Sequence, residues 1–280
     1  MANVNILEKY GIKEVCDFTF YHINETSGKP DYPVLFLDTL KVSTVEQTAD
    51  QVQAKGGKGN ATLLEWDTNK EITVTLEDAL FSAKSLAIMF ADGAVATHNA
   101  EASDATDGQY LIMRTHTFTA VASGDSGAPS SEVVINGKSY KKINAKYFDA
   151  SGASIAASAI SSGVEYFETY DVNAASACID INADSFPGTY YCVGDTYVRS
   201  QKTGTDNFFQ FVIPKAKVQS SNTITLEADG DPSTFSMDLK VLRGEDGAMM
   251  RLIQYNPVGT DAADVGSAPY VHNHVLTGAE

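Results

Sequence analysis

Gly124-Asp125-Ser126-Gly127 is the one tetrapeptide in this chain with the look of a nucleophile's surroundings. It matches the segment around the serine of chymotrypsin-like proteases. That chemistry also needs a histidine base and a buried aspartate. His98 and His116 precede it, in the contexts VATHNA and MRTHTF, and neither context carries a further signature. Gly-Asp-Ser-Gly running into Ala-Pro-Ser-Ser is also what an ordinary surface turn looks like, and the tetrapeptide is read that way. Lys55-Gly56-Gly57-Lys58-Gly59-Asn60 invites a phosphate-loop reading. A phosphate loop needs Ser or Thr after Gly-Lys and a helix behind it. Here neither follows, and the next segment has strand character. These six residues read as a flexible inter-subunit contact. His272-Asn273-His274 offers two imidazoles where zinc needs three or four ligands, with no cysteine or carboxylate cluster nearby. Asp229, Gly230, Asp231 and Pro232 form an acidic turn without the twelve-residue spacing of a calcium loop. No carboxylate pair stands out as an acid–base dyad. The expectation is a chain with no catalytic residue, no metal and no cofactor.

Composition narrows the classes further. The chain has 280 residues, enough for one large β domain or two small ones, and 43% of them are hydrophobic. Acidic residues number 36 against 20 basic, a net charge of −16. Such a surface repels nucleic-acid phosphates and anionic membranes, so sequence-specific DNA binding is not expected. The N-terminus lacks a basic start followed by an apolar run, and no window approaches a membrane span, so neither a signal peptide nor membrane insertion is expected. Cys16, Cys178 and Cys192 are odd in number and widely spaced. That argues against a disulfide framework and for synthesis in a reducing compartment.

The elements that must position any site are strands. From Phe208 to Leu242, apolar residues recur at every second place. Phe209, Phe211 and Ile213 share one face, then Ile224, Leu226 and Ala228, then Phe235, Met237, Leu239 and Val241. The other face carries Gln210, Thr223, Thr225, Glu227, Ser236, Asp238 and Lys240. A period of two marks a sheet with one dry and one wet face. Lys70 to Leu76 alternates in the same way, with Glu71, Thr73 and Thr75 opposite Ile72, Val74 and Leu76. Further strands are expected at Val15–Tyr21, at Val34–Leu40 after a turn at Pro30–Pro33, at Tyr110–Ala120, and from Tyr166 to Arg199 in four pieces. Glu132–Ile135 and Lys141–Phe148 flank Asn136-Gly137, a type I′ hairpin signal. Thr44–Ala54 reads as a polar, extended arm. One segment changes period: Glu77–Phe90 suits a helix, with Asp78 in its first turn and Gly93 ending it. The expected organisation is a core of residues 1–93 and 166–255, an inserted β-rich subdomain at 94–165, and a C-terminal arm at 256–280.

Two stretches resemble the tail tube (major tail) proteins of tailed bacteriophages. The first, residues 54–82, has a Gly-Gly-x-Gly-Asn loop, Leu-x-Trp-Asp leading into a strand, and Glu-Asp-Ala-Leu. The second, residues 194–242, has Phe-Gln-Phe-x-Ile-Pro-Lys-Ala and then Glu-Ala-Asp-Gly-Asp-Pro. Together they cover roughly 80 residues. The resemblance implies a mainly β fold: a β-sandwich or half-barrel with one flanking α-helix. It implies a structural virion protein made in the host cytoplasm, whose copies form rings, six to a ring, stacked into a hollow tail tube that delivers DNA. Its partners would be further copies of itself and tape-measure, sheath or tail-terminator proteins, with DNA passing non-specifically. The wet faces would then line the lumen through Glu71, Thr73, Thr75, Glu77, Thr223, Thr225, Glu227, Ser236, Asp238 and Lys240. The alternatives are a component of a related injection or secretion machine and a β-rich surface module.

Overall fold

The computed structural model describes residues 7–98, 111–120, 129–222, 224 and 234–255. The chain is mainly β, and it divides into two compact units: Met1–Phe90 with Phe186–Glu280, and Ala91–Ser185.

The first unit holds β1 (Tyr10–Ile12), β2 (Asp17–Ile23), β3 (Pro30–Leu37), β4 (Leu40–Gly56), β5 (Ala61–Asp78) and α1 (Ala83–Phe90). The second unit contributes β6 (Ala96–His98), β7 (Leu111–Thr119), β8 (Glu132–Ile135), β9 (Lys138–Lys141), β10 (Ile143–Phe148), β11 (Ser154–Ile155), β12 (Glu165–Asn173) and β13 (Ser176–Cys178). The chain then returns to the first unit with β14 (Thr189–Ser200), β15 (Asp206–Val218), β16 (Phe235–Val241) and β17 (Arg251–Tyr255).

One antiparallel sheet organises the first unit, in the order β3-β2-β14-β15-β16-β5-β4. β1 adds to β14, and β17 adds to the first half of β15. The alternation read from the sequence sets its two faces. Phe235, Met237, Leu239 and Val241 are all buried, as are Ile72, Val74 and Leu76. All of these but Phe235 join Phe18, Phe20, Leu35, Leu37, Ile213, Ala216, Val218, Tyr190 and Cys192 in one core, which Ile88 and Met89 of α1 complete. Burying each Leu or Phe there contributes about 1.5–3 kcal/mol. Gly194 has a packing reason: a Cβ would meet the Phe18 ring at 2.9 Å.

The helix is shorter than expected. Residues 77–82 do not join it, and Asp78 ends β5. Its carboxylate accepts from the Thr39 hydroxyl at 2.5 Å and from the Leu80 amide at 3.1 Å, so it closes a strand-to-helix corner and does not face the helix dipole. The start is set by Ser82, whose Oγ accepts from the Ser85 amide at 3.0 Å while Ser85 Oγ accepts from the Ser82 amide at 2.9 Å. This reciprocal pair caps the helix as a capping box does. Pro30–Pro33, expected as a turn, lies inside β3, an edge strand where proline's missing N–H is tolerated. The glycine-rich stretch after Ala54 is a loop only over residues 57–60, since β5 starts at Ala61.

In the second unit the sheet order is β11-β10-β12-β7, with two-stranded pairs β13-β6 and β8-β9. Asn136 and Gly137 both have positive φ, 48° and 76°, and form the expected I′ turn, although its returning strand is β9 and begins at Lys138. The strand at Glu165–Asn173 pairs with β7 and β10. The unit is therefore wider than the 94–165 insertion expected.

Candidate functional site

Register places the polar side chains of three neighbouring strands on one face. Residues directly opposite each other in an antiparallel pair point the same way. Thr75 lies opposite Asp238 and Thr73 opposite Lys240, with Ser236 opposite Glu77. β4 extends the row, with Thr44 opposite Thr75, Glu46 opposite Thr73 and Thr48 opposite Glu71. The Thr75 hydroxyl donates to Asp238 at 2.7 Å, and Lys240 Nζ reaches Glu71 at 2.8 Å. Seven of the lumen candidates thus share one surface, opposite the core: Glu71, Thr73, Thr75, Glu77, Ser236, Asp238 and Lys240. Lys240 is the only cation among them, and Glu71 already holds it. Thr223, Thr225 and Glu227 lie outside the described residues, as do Gly124–Gly127, Asp229–Pro232 and the two tail histidines.

The contribution of β4 was missed in the sequence, where residues 44–54 read as an arm. VSTVEQTAD places polar residues on both faces, so no alternation marks it. The arm reading holds for the distal half of the hairpin. Beyond Thr48 and Glu71 the two strands keep pairing to Gly56 and Ala61, and nearly every residue there is exposed. Trp66 lies opposite Val52 and Leu64 opposite Ala54, so one side of the projection is apolar. The other side carries Gln53 bonded to Glu65 at 2.6 Å. Lys55, Gly56, Gly57, Lys58, Gly59 and Asn60 form the tip. Gly57 and Gly59 adopt φ of 80° and 89°, and the Asn60 amide donates to the Gly57 carbonyl at 3.2 Å. Backbone with positive φ is what glycine supplies at little cost.

Two other polar groupings bear on what the chain can do. In the second unit, Glu168 is fully buried on β12. Lys142 Nζ donates to both of its oxygens, at 2.9 and 2.7 Å, and His116 Nε2 lies 3.2 Å away. Lys142 also sits 4.8 Å from the centre of the Tyr170 ring. Burial, then the Glu168 charge, pushes the Tyr147 hydroxyl above its ordinary range. Glu168 is thus enclosed by Lys142 and His116, one buried and one half-exposed. In the first unit, a cavity of about 590 Å³ opens at the ends of β1, β2 and β14, lined by Glu14, Asp17, Asp38, Asp195, Tyr197 and Arg199 among others. The three thiols are free: Cys16 and Cys192 are buried and Cys178 is half-buried.

The fold and its polar face agree with a match along most of the chain. A family model described as the YomU/Tube protein family matches residues 10–252. The chain belongs to this family of phage tail tube proteins. No curated protein matches it. The tail tube protein is a structural virion component that assembles with copies of itself into a tube. The match spans both compact units, so the second unit belongs to the family pattern as well.

Proposed function

We propose that this tail tube protein polymerises as stacked six-membered rings, and that DNA passes through the lumen on its way into the host. The main sheet supports this reading. It is open: among the described residues β3 pairs only with β2, and β4 only with β5. Exposed edges invite pairing with another chain, and joining subunits edge to edge into a closed barrel removes them. With the core and α1 on one side, the opposite face would turn inward. That face presents hydroxyls and carboxylates, with Glu46, Glu71, Glu77 and Asp238 against Lys240. Like charge keeps phosphates from settling, and small hydroxyls give bases little to stack on. The apolar side of the hairpin, with Trp66 and Leu64, would cover a neighbouring subunit. Tape-measure and terminator proteins would meet the tube at its ends.

Negative-stain microscopy of the purified protein tests the assembly: rings or tubes with a central hole support it, and particles that stay monomeric under assembly conditions overturn it. The lining has its own test. Asp238→Lys with Glu71→Lys should leave tubes that assemble and eject DNA slowly or incompletely. Normal ejection from such tubes would remove this face from the lumen.

A further inference from the structure

The cavity at the end of β14 has no task in the reading above, and its chemistry is specific. Asp17 of β2, Asp195 and Tyr197 of β14, and Glu14 and Asp38 from the adjoining turns line it. Two cations line it as well, Lys13 and Arg199, and the guanidinium is spent: Arg199 donates to both oxygens of Asp206, at 2.6 and 2.8 Å, so Glu14, Asp17, Asp38 and Asp195 stand against the single Lys13 ammonium. Asp195 accepts from Gln210 at 2.9 Å, a neutral partner that leaves its charge in place. Burial, then Asp17 and Asp195, pushes the Tyr197 hydroxyl above its ordinary range, so that wall stays an uncharged aromatic surface. Carboxylates beside an aromatic ring suit an ammonium group, which gains both charge pairing and a π face.

This same chain offers such groups. Lys55 and Lys58 are exposed at the tip of the β4–β5 hairpin, with no acidic partner among the described residues. Topology places tip and cavity at the same end of the sheet. β5 runs from Ala61 up to the level of β16, and β14 descends from Thr189, opposite Lys217, to Arg199, opposite Asp206. Tip and cavity also belong to opposite flanks, the hairpin to the β4 edge and the cavity to the β3 side. Edge-to-edge closure would bring the β4 flank of one subunit beside the β3 flank of the next. The hairpin extends about 25 Å past the last core pairing, at the usual rise per strand residue, while the cavity starts within two or three strand widths of the edge.

We infer that the cavity is a socket for the Lys55–Lys58 hairpin tip of the laterally adjacent copy. The inference rests on the ring assembly proposed above and adds which surfaces lock the subunits together. Ring closure would then combine backbone pairing with a charged latch, and the latch would weaken with salt.

The test reverses each side and then both. Lys55→Glu with Lys58→Glu should raise the critical concentration for polymerisation about tenfold, the scale of two partly exposed ion pairs lost. Glu14→Lys with Asp38→Lys should do the same. All four changes in one chain should return it to within about twofold of the parent. All four altered positions are exposed, so circular dichroism should report unchanged folding, and a variant that does not polymerise but keeps its spectrum isolates the contact. Unaltered assembly of either double variant overturns the inference, as does failure of the fourfold variant to recover. If the parent chain itself never polymerises, the ring reading falls first and this one with it. If the parent polymerises and the fourfold variant does not recover, the socket alone is wrong.

Discussion

At the scale of single residues, the buried ion pair of the second unit bears most directly on stability. Glu168 and Lys142 form a buried pair whose charges compensate each other. Removing one partner strands the other. Lys142→Met should cost about 3–5 kcal/mol, whereas Lys142→Met with Glu168→Leu should come close to the parent, because a buried pair can be replaced by well-packed apolar groups. Urea unfolding of the three proteins checks this; equal losses in the single and double variants would show the pair is not what holds β10 to β12. The thiols give a second prediction. Burial pushes Cys16 up to about 11 and Cys192 well above its ordinary value of 9.0. The folded chain therefore keeps protons that the unfolded chain releases above pH 9. Their contribution to stability is complete below that pH and fades as pH rises through 11. Counting thiols with a chromogenic disulfide at pH 8 should find Cys178 alone in the native protein and all three after denaturation. Rapid native reaction of a second thiol would contradict the burial.

At the scale of elements, strands declared themselves wherever one face was dry. Phe235–Val241 and Ile72–Leu76 were legible because each alternate residue enters the core. β4 was not, because its distal half has water on both sides and its partner, not its own pattern, makes it a strand. The helix start was misread for a local reason: Asp78 has the chemistry of a first-turn carboxylate, yet a threonine 39 residues earlier claims it. The polar row on β5 and β16 could be read from the sequence, but its continuation onto β4 required register. The prediction at this scale concerns the hairpin. Deleting residues 55–60, or replacing Leu64 and Trp66 with serine, should leave a folded, soluble chain that does not form tubes. Those residues touch none of the core. Sedimentation with circular dichroism separates the outcomes, and tubes of normal length from either variant would take the hairpin out of the interface.

At the scale of the whole molecule, the chain combines a sheet whose two edge strands, β3 and β4, have no further partner among the described residues with a second unit that has its own sheets and apolar cluster. Assembly is the protein's function, so an edge left open at the wrong place is its main hazard. β15 has two partners on one side: β16 along its second half and β17 along its first, from Phe208 opposite Tyr255 to Val212 opposite Arg251. β17 makes few demands on the core; its Leu252 is 59% exposed. Its main contribution is to occupy hydrogen-bonding groups that would otherwise face solvent beside Phe208, Phe209 and Phe211. A chain truncated before Arg251 would still bury its core, but it would carry an aromatic strand open to indefinite addition of like strands. Such a truncation should bind thioflavin T and form amyloid-like fibrils in place of tubes, which makes β17 a guard against the wrong polymer.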